Sequence, residues 1–282
     1  MDALDADIVD IALQDGRTLY VLAVFEPTPD ACFSALYRHS LDEENATPVS
    51  PVFHASTWLT CVRPLREGVA LGTADGELVL ALPDSDVDVV EASARAISAI
   101  VEDNDTLIAT TTAGEVLALR DGELARWKTG GPALFALASL DGALWVAGDS
   151  GYLARRDGDD WRAFETKTQE TLNALVQTPE GVLAVGNNGS LVLVQGDRAT
   201  LETAGQLKLT RAARWRGETL LAAGVDGLRQ LGAASRIVRE GPCHAVVAGP
   251  TYLAVSGEGT VFVSRDGVEW QSLRHSRPAP LD

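Results

Sequence analysis

The chain has 282 residues, 46% of them hydrophobic, and a formal net charge of −17. That length suits one sizeable core, and the acidity argues against nucleic acid and anionic membranes as partners and for another protein with a basic surface. The apolar runs fall short of a bilayer span, the start Met-Asp-Ala-Leu-Asp-Ala-Asp is no secretory signal, and three dispersed cysteines (Cys32, Cys61, Cys243) form no disulfide framework, so a cytoplasmic setting is expected.

The first 54 residues carry four apolar segments, at 8–13, 19–25, 32–39 and roughly 48–54, joined by longer loops at 26–31 and 41–47. From there a regular pattern takes over. An apolar strand, a short turn ending in glycine and a second apolar strand recur, with the glycine at 76, 114, 151, 189, 227 and 259. The intervals are 38, 37, 38, 38 and 32 residues. A turn this tight needs positive φ, which glycine reaches without a Cβ clash. Each hairpin is preceded by another strand with a small residue near its middle: Cys61, Ala99, Ala136, Ala174, Ala212, Ala245. Each is followed by a more polar fourth strand, at 87–92, 124–128, 161–166, 199–204, 236–239 and 269–274.

Four strands per repeat of about 40 residues is the signature of a propeller blade. The expected fold is therefore all-β, a seven-bladed β-propeller of four-stranded antiparallel blades, with the N-terminal segment as an atypical first blade. Boundaries fall near 55, 93, 131, 169, 207 and 242. Residues 1–275 form the single propeller and residues 276–282 a short tail, expected to be mobile. In this register no blade borrows a strand from the other terminus, so the ring closes by packing. Helices should be nearly absent.

Two hairpins are followed by a further motif, Arg156-Asp-Gly-Asp-Asp-Trp161 and Ser264-Arg-Asp-Gly-Val-Glu-Trp270, with a looser copy at Arg120-Asp-Gly-Glu-Leu-Ala-Arg-Trp127. This resembles the Asp-box turn of bacterial propellers. Together with Val146-Ala-Gly-Asp-Ser-Gly151 and Ala184-Val-Gly-Asn-Asn-Gly189, it resembles the photosystem II assembly-factor type of repeat. The resemblance covers roughly 130–195 and 243–273. It implies fold more than activity: Asp157 and Asp266 would cap backbone N–H groups, and Trp161 and Trp270 would pack between sheets. Photosystem assembly is not implied.

Asp-box propellers include sialidases, which need an arginine cluster and a tyrosine nucleophile. Here Tyr20, Tyr37, Tyr152 and Tyr252 all align with strands rather than loops. His39, His54, His244 and His275 show no metal-ligand spacing, and no phosphate loop or nucleophile elbow occurs. No catalytic residue, metal ligand or cofactor is assigned.

Two sets of positions follow from the repeat. Inner-strand residues before the small one read Asp10, Thr60, Ser98, Phe135, Asn173, Arg211 and His244. The six polar ones would line the channel, around a ligand or simply bound to neighbouring blades and water. The hairpin turns carry Asp75, Asp149, Asn187, Asn188, Asp226 and Glu258. These would form an acidic rim on one face, although Asp and Asn also suit tight turns. The expected function is a non-catalytic docking module using one face. The alternatives are a ligand-binding or hydrolytic protein with its site in the channel, and a toxin-neutralising or secretion-accessory protein.

Overall fold

The computed structural model describes residues 6–25, 32–43, 48–81, 87–232 and 235–278. Among them the chain forms seven four-stranded antiparallel sheets and no α-helix. The first blade is β1 (Asp7–Gln14), β2 (Thr18–Phe25), β3 (Phe33–Ser40) and β4 (Phe53–Ala55). The second is β5 (Leu59–Pro64), β6 (Val69–Thr73), β7 (Glu77–Ala81) and β8 (Asp88–Glu91). The third is β9 (Ile97–Asp103), β10 (Thr106–Thr111), β11 (Glu115–Arg120) and β12 (Glu123–Lys128). The fourth is β13 (Leu134–Leu140), β14 (Ala143–Gly148), β15 (Leu153–Asp157) and β16 (Asp160–Ala163). The fifth is β17 (Leu172–Thr178), β18 (Gly181–Gly186), β19 (Ser190–Gln195) and β20 (Arg198–Thr203). The sixth is β21 (Arg211–Trp215), β22 (Glu218–Ala222), β23 (Leu228–Gln230) and β24 (Arg236–Arg239). The seventh is β25 (Ala245–Ala248), β26 (Leu253–Ser256), β27 (Val261–Ser264) and β28 (Gln271–Ser272). The expected seven-bladed propeller is the observed one.

The second strand of each blade is sandwiched between neighbouring blades, so it is apolar throughout rather than alternating. All five residues of β6 are buried, as are all but the first of β10, β14 and β18. The outermost strands β12 and β20 are largely exposed and carry charge. Seven apolar clusters result, one at each blade–blade interface. Each fully buried Leu or Val stabilises by ~1.5–3 kcal/mol, so these interfaces hold the ring together.

At Gly189 the need for glycine is twofold. Its φ is +67°, and an added Cβ would overlap the carbonyl oxygen of Gly205 in the connection to the next blade. The turn and the inter-blade connection therefore lie against one another. Hydrogen bonds from Gly189 N–H to Leu207 (2.6 Å) and from Ala204 N–H to Gly189 (2.8 Å) tie them together. Gly114, Gly151 and Gly227 also have positive φ, at 79°, 69° and 84°.

The ring closes by packing, as expected. Ile11, Leu19 and Tyr37 of the first blade meet Ala245, Ala254 and Val261 of the seventh in the largest cluster. A clasp adds to it. Val49 N–H donates to Arg274 (3.0 Å), Ser276 N–H to Val49 (2.9 Å), and the Tyr37 hydroxyl to the Ser276 carbonyl (2.9 Å). Ser276, the first residue assigned to the tail, is thus held by the first blade; residues 279–282 lie outside the described set.

At the 264–270 turn, Asp266 Oδ1 accepts the N–H groups of Val268 (2.8 Å) and Glu269 (2.9 Å), and Ser264 Oγ accepts that of Gly267 (2.8 Å). Those N–H donors hold the Asp266 carboxyl below its ordinary range. Asp157 departs from this expectation. It pairs with Asp160 across a two-residue hairpin and makes no side-chain hydrogen bond among the described residues. Both tryptophans pack against blade interfaces, Trp161 between the third and fourth blades and Trp270 between the sixth and seventh.

Candidate functional site

The inner strands share a device that the sequence pattern did not reveal. In β5, β9, β13 and β17 one residue is skipped in the pairing with the neighbouring strand: Thr60, Ser98, Phe135 and Asn173. Such a bulge leaves its residue outside the ladder and bends the strand. These are the residues that stand before the small one in each repeat. Thr60, Ser98, Phe135 and Asn173 come together with Arg211 around one cavity of about 370 Å³. Ala96, Ile97, Thr112, Lys208 and Thr210 complete its lining.

The first blade breaks the rule by one residue. Its skipped position is Val9, so Asp10 occupies the place held by Cys61, Ala99, Ala136 and Ala174 elsewhere. Asp10 is not part of the cavity lining. Its side chain is 13% exposed, and its Oδ2 accepts the Val62 N–H at 3.0 Å. Arg211 of the sixth blade lies 3.7 Å from Asp10 Oδ1. Burial raises the Asp10 carboxyl above its ordinary range, against the opposing pull of Arg211 and of backbone N–H groups. Burial and the nearby Asp10 charge push the Cys61 thiol up to about 12, which leaves it an inert filler rather than a nucleophile. His244 is exposed and outside the cavity lining; its carbonyl accepts the Thr210 hydroxyl at 2.7 Å.

Around the mouth stand the β2–β3-type turns and the inter-blade connections. The six rim residues divide into two groups. Asp149 Oδ1 accepts the Thr171 hydroxyl (3.0 Å), and Asn187 Oδ1 accepts from Asn173 Nδ2 (3.0 Å). Asn188 has φ 53° and lies 3.5 Å from Glu170 Oε1. Asn tolerates the left-handed region better than most residues, so turn chemistry accounts for it. Asp75, Asp226 and Glu258 are different. All three are exposed and make no side-chain hydrogen bond or ion pair among the described residues. They belong to blades two, six and seven, of which the second and the seventh flank the first.

Lys208 and Thr210 lie in the connection entering the sixth blade, outside the strand positions that the repeat marks. The signal was present: a connection entering an inner strand must pass the channel mouth.

No family model matches the chain, and no curated protein matches it in sequence. Its fold is similar to many solved structures. The WD40 β-propeller domain of Doa1 superposes with a TM-score of 0.71 at 11% identity, covering 95% of this chain and 92% of that one. A chain of the Mitotic Checkpoint Complex gives 0.70 at 10% identity, with 91% and 87% covered. The computationally designed Ika8 protein gives 0.64 at 12% identity, with 93% and 97% covered. At these identities the likeness is one of fold alone.

Proposed function

We propose that the protein is a non-catalytic docking module that binds a basic protein partner on the propeller face bearing Asp75, Asp226 and Glu258. The observation that carries this reading is that these three carboxylates are exposed and unpaired on one face of a chain with a net charge of −17. Such a field steers a basic partner and repels phosphate backbones and anionic membranes. Two of the similar folds come from a WD40 domain and from a protein complex, which is in keeping with a scaffold role. The proposal includes a cytoplasmic setting and kinship with bacterial Asp-box propellers. The Ser264–Asp266 turn supports the kinship, and buried Cys61 and Cys243 thiols suit a reducing compartment. The same proposal takes residues 1–275 as the propeller and 276–282 as a tail, whose first residue Ser276 is tied to Val49 and Tyr37.

The test is capture from native extract on immobilised parent and on the variant carrying Asp75→Lys, Asp226→Lys and Glu258→Lys. A basic protein retained by the parent and lost by the variant is expected. Equal retention of the same proteins by both would overturn the reading.

A further inference from the structure

We propose that the channel mouth is a binding site for a small organic anion with an apolar, preferably aromatic, body. This site lies inside the ring of turns that carries the docking residues but uses none of them, and its ligand is not the protein partner.

The charge pattern comes first. Five blades contribute to the 370 Å³ cavity, and among the described residues its only charged lining residues are Lys208 and Arg211. In a chain with 17 more acidic than basic residues, a concavity lined by two cations and no carboxylate is the reverse of the general surface. A cleft with one sign of charge focuses the field and concentrates the opposite ion.

The cations are held differently. Arg211 donates one N–H to the Thr210 carbonyl at 3.0 Å and lies 3.7 Å from Asp10, which fixes the guanidinium while leaving further donors. Lys208 is exposed and makes no ion pair among the described residues. A fixed fork beside an adaptable ammonium suits a carboxylate or phosphate group.

The rest of the lining specifies the body of the ligand. Phe135 is the apolar exception among the four bulge residues that meet here, and it offers an aromatic face. Thr60 and Ser98, from blades two and three across the ring from the sixth, bring hydroxyls that bond to the Ile97 carbonyl and the Thr110 hydroxyl and keep lone pairs able to accept from a ligand. The volume is at the small end of ligand sites. An acid group on Arg211 and Lys208, a ring against Phe135 and a polar far end near Ser98 satisfy all three features.

The probe is 4-hydroxybenzoate, titrated calorimetrically into the intact protein. Benzylamine serves as the cationic control and inorganic phosphate as the bare anion. Saturable one-to-one binding of 4-hydroxybenzoate is expected, with phosphate weaker and benzylamine not bound. Lys208→Gln, an exposed change that leaves the fold intact, should weaken binding about tenfold, and Phe135→Ala comparably. Arg211→Gln should abolish binding, and circular dichroism separates that loss from unfolding. The proposal is overturned if no anion binds at about 10 mM, if benzylamine binds as well, or if Lys208→Gln and Phe135→Ala leave the affinity unchanged. None of these outcomes bears on the docking face, because no protein partner is used.

Discussion

Arg211 of the sixth blade stands 3.7 Å from Asp10 of the first, an ion pair that reaches past the whole seventh blade at the centre of the ring. The two partners are unequal. Asp10 is nearly buried, whereas the Arg211 side chain is 36% exposed. Removing Arg211 leaves a buried charge without its counterion; removing the Asp10 charge leaves a guanidinium that water can still reach.

Arg211→Gln should therefore destabilise more than Asp10→Asn. Breaking a fully buried pair costs ~3–5 kcal/mol, and the exposure of Arg211 reduces this to roughly 1–2 kcal/mol. The raised Asp10 carboxyl gives the sign for the other variant. The fold holds this proton more tightly than the unfolded chain, so the contribution of Asp10 falls as pH rises through its folded pKa. At neutral pH Asp10→Asn should be close to neutral. Thermal melts of both variants check the order, and an equal or reversed effect would contradict it.

Gly189→Val should cost about 2 kcal/mol or more, because positive φ and the Gly205 carbonyl both oppose a side chain. Gly158→Ala is the control. Gly158 has φ +62° and nothing within 4 Å of an added Cβ, so only backbone strain of about 1 kcal/mol applies. Denaturant titrations should separate the two. A Gly189→Val protein as stable as the parent would refute the turn-to-connection contact.

The clasp gives a pH dependence. His275 packs edge-on against Tyr37 (4.6 Å between centroids) and His39 (4.8 Å). Burial and His39 lower its pKa to about 3. A depressed histidine contributes stability that is complete above its ordinary range, near 6.5, and is lost as pH falls from there toward 3. His275→Phe keeps the ring packing without the titration. Its melting temperature should fall less than the parent's between about pH 7.5 and about pH 4.5. Equal acid losses would remove His275 from this role.

The blades were legible because a glycine recurs where the connection leaving a blade covers that blade's own turn, as at Gly189 and Gly205. The first blade was legible only as strands. With Asp10 where the other inner strands carry a small residue, the first blade's register slips by one position in the sequence pattern, and Val9 is the true counterpart of Thr60. Of the six polar inner-strand positions, Thr60, Ser98, Asn173 and Arg211 stand at one cavity and Asp10 and His244 do not, a division the sequence hides because a bulge has no composition of its own. The clasp left no trace because a single parallel bridge, Val49 to His275, imposes no periodicity. The rim was half legible. Asp149 and Asn187 stand where turns want them and are bound to Thr171 and Asn173, a distinction that only hydrogen-bond partners reveal.

The docking account is tested most directly by the association rate of the captured partner with the parent and with the variant reversing Asp75, Asp226 and Glu258 to lysine. Exposed rim charges govern encounter more than residence. The account predicts an on-rate slower by about tenfold at low ionic strength, with the two proteins converging as salt screens the face. An unchanged on-rate across ionic strength, with the variant's fold intact by circular dichroism, would contradict it.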